Sequence, residues 1–129
     1  MSRLIYLAAP YSDATPEVME QRFFAINEAV AEIVKTTSIV VYSPVSHWHP
    51  IELQCELPQG WEFWSRLDLE MINRCDELWV LKLDGWEESV GVTAEVKYAR
   101  ECGMPVCYVD PEFLVIWEWS DAKLRLCVR

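Results

Sequence analysis

Leu78-Trp79-Val80-Leu81, then Asp84-Gly85-Trp86-Glu87-Glu88-Ser89, then Val90-Gly91-Val92-Thr93-Ala94-Glu95, is the stretch whose reading decides the fold. The apolar run reads as a buried strand, the Asp-Gly segment as a turn, and Val92 to Cys102 as a helix. A strand, a glycine-containing loop and a helix start place backbone N–H groups and a polar side chain at one rim of a parallel sheet. That rim is where open α/β sheets bind ligands. Glu95 falls about one turn into the helix, where its side chain can point into the crevice. The helix N-terminus favours negative charge, so an ionised carboxylate is expected there. A fixed, ionised carboxylate can act as a nucleophile on a sugar.

The same alternation extends in both directions. Leu4 to Ala9 reads as a strand, and a Pro-Tyr-Ser-Asp turn leads to Pro16 at the first turn of a helix running to about Lys35. Ile39 to Tyr42 reads as the next strand and Ser43 to Gln59 as a long polar and aromatic loop; loops of that length usually serve function. A helix follows over about Trp61 to Arg74, then a strand over Glu77 to Leu83. The helix opened by the quoted stretch ends near Gly103, and Pro105 to Val109 is a further strand. Pro111 to Arg129 reads as a helix with a short strand at its end. Strands separated by helical segments mean βαβ units with right-handed crossovers. The expected fold is α/β: a flavodoxin-like three-layer sandwich with a mostly parallel sheet of four or five strands. No linker, repeat or low-complexity run divides the 129 residues, so one domain is expected.

Composition narrows the partners. Hydrophobic content of 52% with seven tryptophans excludes a disordered chain. No apolar run approaches the length that spans a bilayer, and Arg3 to Ala9 reads as a strand rather than a signal peptide. A cytoplasmic protein without a membrane partner is therefore expected. A net charge of −10 argues against a nucleic-acid polymer, which needs a basic face, but not against a small nucleotide. Five cysteines, Cys55, Cys75, Cys102, Cys107 and Cys127, form no CxxC pair and read as reduced thiols.

Several polar residues fall on faces that should be apolar. On a helical wheel Trp61, Trp64, Met71, Ile72 and Cys75 make one stripe, bordered by Leu67, with Asp68 in its middle. A carboxyl group there is costly unless paired or protonated, and desolvation would raise its pKa toward that of a proton donor; a cap or a buried salt bridge is the competing reading. Arg22 interrupts the face made by Val18, Met19, Ile26, Ala29, Val30 and Ile33. It could pair with Asp13 or Glu95, or bind a phosphate. His47 and His49 form an HxH pair without an evident third ligand, so no metal is expected. A pocket-lining loop with Trp48 stacked on a planar base fits the segment better, the alternative being a surface loop with one docked tryptophan.

The chain resembles the nucleoside 2-deoxyribosyltransferase superfamily, which includes the 2'-deoxynucleoside 5'-phosphate N-hydrolases. Three anchors carry the resemblance: Ile5-Tyr6-Leu7-Ala8-Ala9-Pro10-Tyr11, Asp68-Leu69-Glu70 with Asp76 before the third strand, and Ser89-Val90-Gly91-Val92-Thr93-Ala94-Glu95. It is closest to short bacterial and phage relatives with a Gly-Trp-x-x-Ser-x-Gly block. The resemblance implies that Glu95 is the nucleophile at C1', that Asp68 helps protonate the departing base, and that Tyr6 orients Glu95. Ser89 matches the position contacting the sugar 5' end, with Gly91 beside it. Tyr11 lies in the substrate-contacting first loop. Arg22, His47 and Trp48 complete the expected substrate contacts. Ser89 stands where the transferases carry Asp, and a serine hydroxyl can donate to a 5'-phosphate that an Asp would repel. The implied activity is cleavage or transfer of the N-glycosidic bond of a (deoxy)nucleoside 5'-monophosphate or nucleoside. No cofactor is expected. Family members share sites across subunits, so a homodimer or larger homo-oligomer is expected, with Trp117 and Trp119 at the interface. Two other functions use the same residues: a nucleotide sensor without turnover, and an NAD-type glycohydrolase.

Overall fold

Strand β1 (Leu4–Ala8) lies inside a sheet whose four strands all run parallel. The computed structural model describes residues 3–112. Within them β1 is followed by α1 (Pro16–Thr36), β2 (Val40–Tyr42), α2 (Pro44–Cys55), α3 (Trp61–Asn73), β3 (Glu77–Leu81), α4 (Val90–Glu101) and β4 (Val106–Val109). The strand order is β2-β1-β3-β4, with Tyr6 opposite Tyr42 on one side and Leu78 on the other. This is the flavodoxin-like order, in which β1 and β3 flank the point where the connections diverge. The expected tail helix, Trp117, Trp119 and Cys127 lie outside the described residues.

Parallel strands are covered on both faces, and the sequence of β1 shows how. Ile5 and Leu7 point into one core with Ile26, Ala29 and Ile33 of α1 and with Trp79 and Leu81 of β3. Tyr6 and Ala8 point into the other, with Ile72 of α3 and Val92 and Ala99 of α4. All five residues of β3 are buried. The near-continuous apolar run is therefore what a doubly covered strand requires.

The segment Ser43 to Gln59, read as a loop, contains α2. Ser43 caps it, its Oγ accepting the Ser46 N–H at 3.4 Å, and Pro44 occupies the first turn. Pro50 sits inside the helix. It removes one backbone donor, and two prolines with two serines in eight residues conceal the helix from a reading by propensity. Helix α4 also starts two residues before the expected Val92, because Ser89 caps it by accepting the Val92 N–H at 3.2 Å.

The sheet end remote from the loops is stapled by charge. Arg3 Nε and Nη2 donate to the Glu77 carboxylate at 2.6 and 2.7 Å, and Trp79 Nε1 donates to Glu77 Oε1 at 3.1 Å. The Leu4 N–H donates to Asp76 Oδ2 and the Asp76 N–H to the Leu4 carbonyl, both at 2.7 Å. Asp76 thus serves the sheet at the amino ends of its strands. Arg3→Ala would leave the buried Glu77 carboxylate without its bidentate partner. A loss of about 3 kcal/mol is expected in urea unfolding.

Candidate active site

A cavity of about 320 Å³ opens at the carboxyl ends of β1 and β3. Ala9, Tyr11 and Ser12 line it from the loop after β1, and Ser89, Val90 and Gly91 from the start of α4. This is the crevice at the topological switch point. Helices α2 and α3 supply the remaining walls with helical spacing. Val45, Trp48, His49 and Glu52 stand at i, i+3, i+4 and i+7 of α2, and Trp61, Trp64 and Asp68 at i, i+3 and i+7 of α3. Trp48 and Trp64 meet edge to face at 5.4 Å between ring centres.

Glu95 forms part of the floor. It is 5% exposed, and the buried Tyr6 phenol donates to its Oε2. Asp68 also lines the cavity, and its buried Oδ1 has no hydrogen-bond partner. Among the described residues neither a cap nor an Arg or Lys partner accounts for Asp68. Burial and the Asp68 charge push the Glu95 carboxyl up to about 8, against the pull of the Tyr6 bond. Burial pushes Asp68 up to about 6, with Tyr6 and Glu95 pulling it back. Burial, then Glu95 and Asp68, raise the Tyr6 phenol, which stays protonated. The expectation of a Glu95 carboxylate ionised by the helix dipole is therefore corrected. Glu95 is the sixth residue of α4, beyond the first turn where the dipole acts, and it faces a second carboxyl group. The two groups titrate as a pair and hold about one proton near neutral pH.

Tyr11, Trp48, Ser89 and Gly91 line the cavity. The Ser89 oxygen accepts the helix-capping bond, which leaves its hydroxyl proton to donate elsewhere. A methyl group at Gly91 would meet only Ser89 Oγ, at 4.0 Å, so the glycine keeps space open beside the cap.

Arg22 and His47 are corrected. Arg22 is not on the cavity and pairs with neither Asp13 nor Glu95. Its guanidinium donates to the carbonyls of Tyr11, Ser12 and Asp84 at 3.2, 3.0 and 3.2 Å. It ties the loop after β1 to the loop after β3. Gly85 permits this: its φ is +93°, and a β-carbon there would lie 2.7 Å from Arg22 Nη2. His47 is exposed on a separate groove with Tyr42, Trp48, Arg66, Leu67, Glu70 and Met71. Residues two apart on a helix point about 200° away from each other, so the HxH pair cannot converge.

The lining histidine is His49. It is buried, stacks on Phe23 at 4.3 Å and bonds through Nδ1 to the Tyr11 hydroxyl at 2.6 Å. Burial lowers its pKa. Glu52, raised by burial and adjacent to Tyr11, shares this wall. His49, Glu52, Trp61 and Trp64 were not singled out as site residues from the sequence. The signal for the α2 pair was the Ser-Pro cap at Ser43, which would have placed residues 45, 48, 49 and 52 on one helical face.

A family model described as a domain of unknown function (DUF1937) matches residues 3–123. No curated protein matches the sequence. A conserved protein from Enterococcus faecalis V583 superposes with a TM-score of 0.54 and 20% identity, over 84% of this chain and 63% of that one. This chain thus spans less than two thirds of the Enterococcus protein. A 2-deoxyribosyltransferase from the psychrotolerant bacterium Bacillus psychrosaccharolyticus superposes with a TM-score of 0.52 and 22% identity, over 84% of this chain and 72% of that one. At these identities the likeness is one of fold. No helix among the described residues is long and apolar enough to cross a membrane.

The buried Glu95 carboxyl group makes stability depend on pH. The folded Glu95 binds its proton more tightly than the unfolded chain does, where the value is 4.5. Between these values the native state holds more protons, so stability falls as pH rises. Its contribution is full below about 4.5 and is lost through about 8. Wild type should melt at a lower temperature at pH 8.5 than at pH 5, and Glu95→Gln should flatten that slope in thermal scans.

Proposed function

The chain belongs to the DUF1937 family, and we propose that it cleaves or transfers the N-glycosidic bond of a nucleoside or nucleoside 5'-monophosphate. The observation that carries this reading is the pair of carboxyl groups, buried Glu95 and half-buried Asp68, with Tyr6 bonded to Glu95, at the floor of a tryptophan-walled cavity. The fold shared with a 2-deoxyribosyltransferase supports it.

Glu95 attacks C1' as the carboxylate, held in place by the Tyr6 phenol. Asp68 delivers the shared proton to the departing base. Two carboxyl groups that divide one proton can supply a nucleophile and an acid together, with the single proton on Asp68 in the reactive form. The glycosyl ester on Glu95 is then released to water, or to a second base if the reaction is a transfer. Asp68, now ionised, takes the proton from the incoming acceptor. The tryptophans receive the base by stacking. Ser89 and Gly91, at the start of α4, face the sugar end. No step requires a metal or an organic cofactor.

A screen of nucleosides and 5'-monophosphates for free base, with and without an acceptor base, tests the reading. Release by wild type and its loss in Glu95→Ala are expected. The pH profile of kcat/KM should be bell-shaped, with limbs near the pair's values of about 6 and about 8. Below the lower limb Glu95 is neutral and cannot attack; above the upper limb no proton remains for the base. Asp68→Asn should lower the rate on neutral bases by roughly 100-fold or more. It should also remove the alkaline limb, because the proton lost there is the one that Asp68 delivers to the base. Absence of base release from every substrate in both formats would overturn the proposal.

A further inference from the structure

We propose that the cavity selects an N-glycoside whose base is a cation and whose 5' end carries no phosphate. The inference rests on the N-glycosidic reading above and names the substrate class for that site. Three carboxyl-bearing residues line the cavity, Glu52, Asp68 and Glu95, and among the described residues no Lys or Arg does. The cation that the sequence offered for a phosphate, Arg22, is held outside by three backbone carbonyls. The walls are Trp48, Trp61 and Trp64. Indole faces carry negative potential and attract organic cations, most strongly where water is displaced.

These features act in the same direction. A phosphate dianion would enter a partly desolvated space facing three acidic groups, with no compensating Lys or Arg among the described residues. Ser89 offers one hydroxyl, and Ser89 Oγ already engages one N–H of the α4 start, that of Val92. A neutral base would gain stacking alone. A cationic ring gains stacking, attraction to the indole faces and the field of the carboxylates. Glu52 has no part in the attack at C1', so its role in this reading is to favour the cation.

The chemistry follows with its electrons balanced. The Glu95 carboxylate bonds to C1', and the C1'–N pair moves onto the ring nitrogen and cancels its positive charge. The base leaves neutral without taking a proton. Asp68, whose proton the base did not take, releases it to solvent; water then attacks C1', Asp68 accepts the water proton, and the Glu95 carboxylate is restored. The sum is cationic glycoside plus water giving neutral base, sugar and one proton. Asp68 is therefore needed for departure of a neutral base and not for that of a cationic one.

Nicotinamide riboside, its 5'-monophosphate and adenosine separate the possibilities in a base-release assay. The first two share a leaving group, so their ratio reads the phosphate alone; kcat/KM should be about tenfold or more higher for the riboside. Asp68→Asn should cost adenosine cleavage far more than riboside cleavage. Binding of 1-methylnicotinamide, followed by tryptophan fluorescence, should be about tenfold tighter than that of neutral nicotinamide, and Glu52→Gln should narrow the difference. A 5'-monophosphate that performs as well as the riboside, or equal binding of the two nicotinamides, would overturn the inference. Cleavage of adenosine without cation preference would do so while leaving the N-glycosidic reading intact. Cation-selective binding with no cleavage of any substrate would instead retain the charge selectivity and remove the catalytic reading.

Discussion

The burial of the Glu95 carboxyl group on the inner face of α4 constrains everything around it. A carboxyl group 5% exposed has to be bonded, protonated or both, and here it is met by the Tyr6 phenol from the middle of β1. That contact requires β1 and α4 to be in register to within a hydrogen bond. It also requires the α3–α4 side of the sheet to be closed over it, which Ile72, Val80 and Ala99 accomplish. Asp68 reaches the same region from α3 and raises the cost of charge further. The sheet end, both covering helices and the protonation of the floor therefore depend on one another.

The cavity has a second constraint at its mouth. The loops after β1 and β3 carry residues that line it, and neither has a regular structure of its own up to the start of the next helix. Arg22, rising from α1, bridges their carbonyls, and Gly85 leaves room for the guanidinium. A charged residue on an otherwise apolar helix face is explained without a charged partner: backbone carbonyls are its acceptors. Tyr11 and Ser12 are thereby tied to the loop that leads to Ser89 by a side chain that does not itself line the cavity.

The parts of this architecture that were legible in the sequence share one property: their pattern repeats. Apolar strand runs and the 3.6-residue stripe of α3 follow from local periodicity, and they place Asp68 and Glu95 on their elements; Tyr6 and Ser89 were marked by the resemblance, and the cap that Ser89 forms was not read. What was illegible depends on exceptions or on distance. Helix α2 carries a proline in its interior, so its face was lost and His47 stood in for His49. The role of Arg22 depends on a carbonyl 62 residues away. The protonation of Glu95 depends on burial and on Asp68, which the position of Glu95 in its own helix does not report.

The sheet order has a consequence for how the chain reaches this state. Strand β1 is flanked by β2 and β3, and two side-chain anchors, one just before it and one within it, reach far along the sequence, Arg3 to Glu77 across 74 residues and Tyr6 to Glu95 across 89. During synthesis β1 emerges long before the partners that satisfy it. Until β3 is available one of its edges is unpaired, and until α4 is available the Tyr6 phenol lacks its Glu95 acceptor. Contacts of this separation impose a large loop-closure entropy before they return any stabilisation, so folding should be slow for a chain of this size. In that interval the nascent strand is a ready template for pairing with another copy, and β1 is where chaperone protection would matter most.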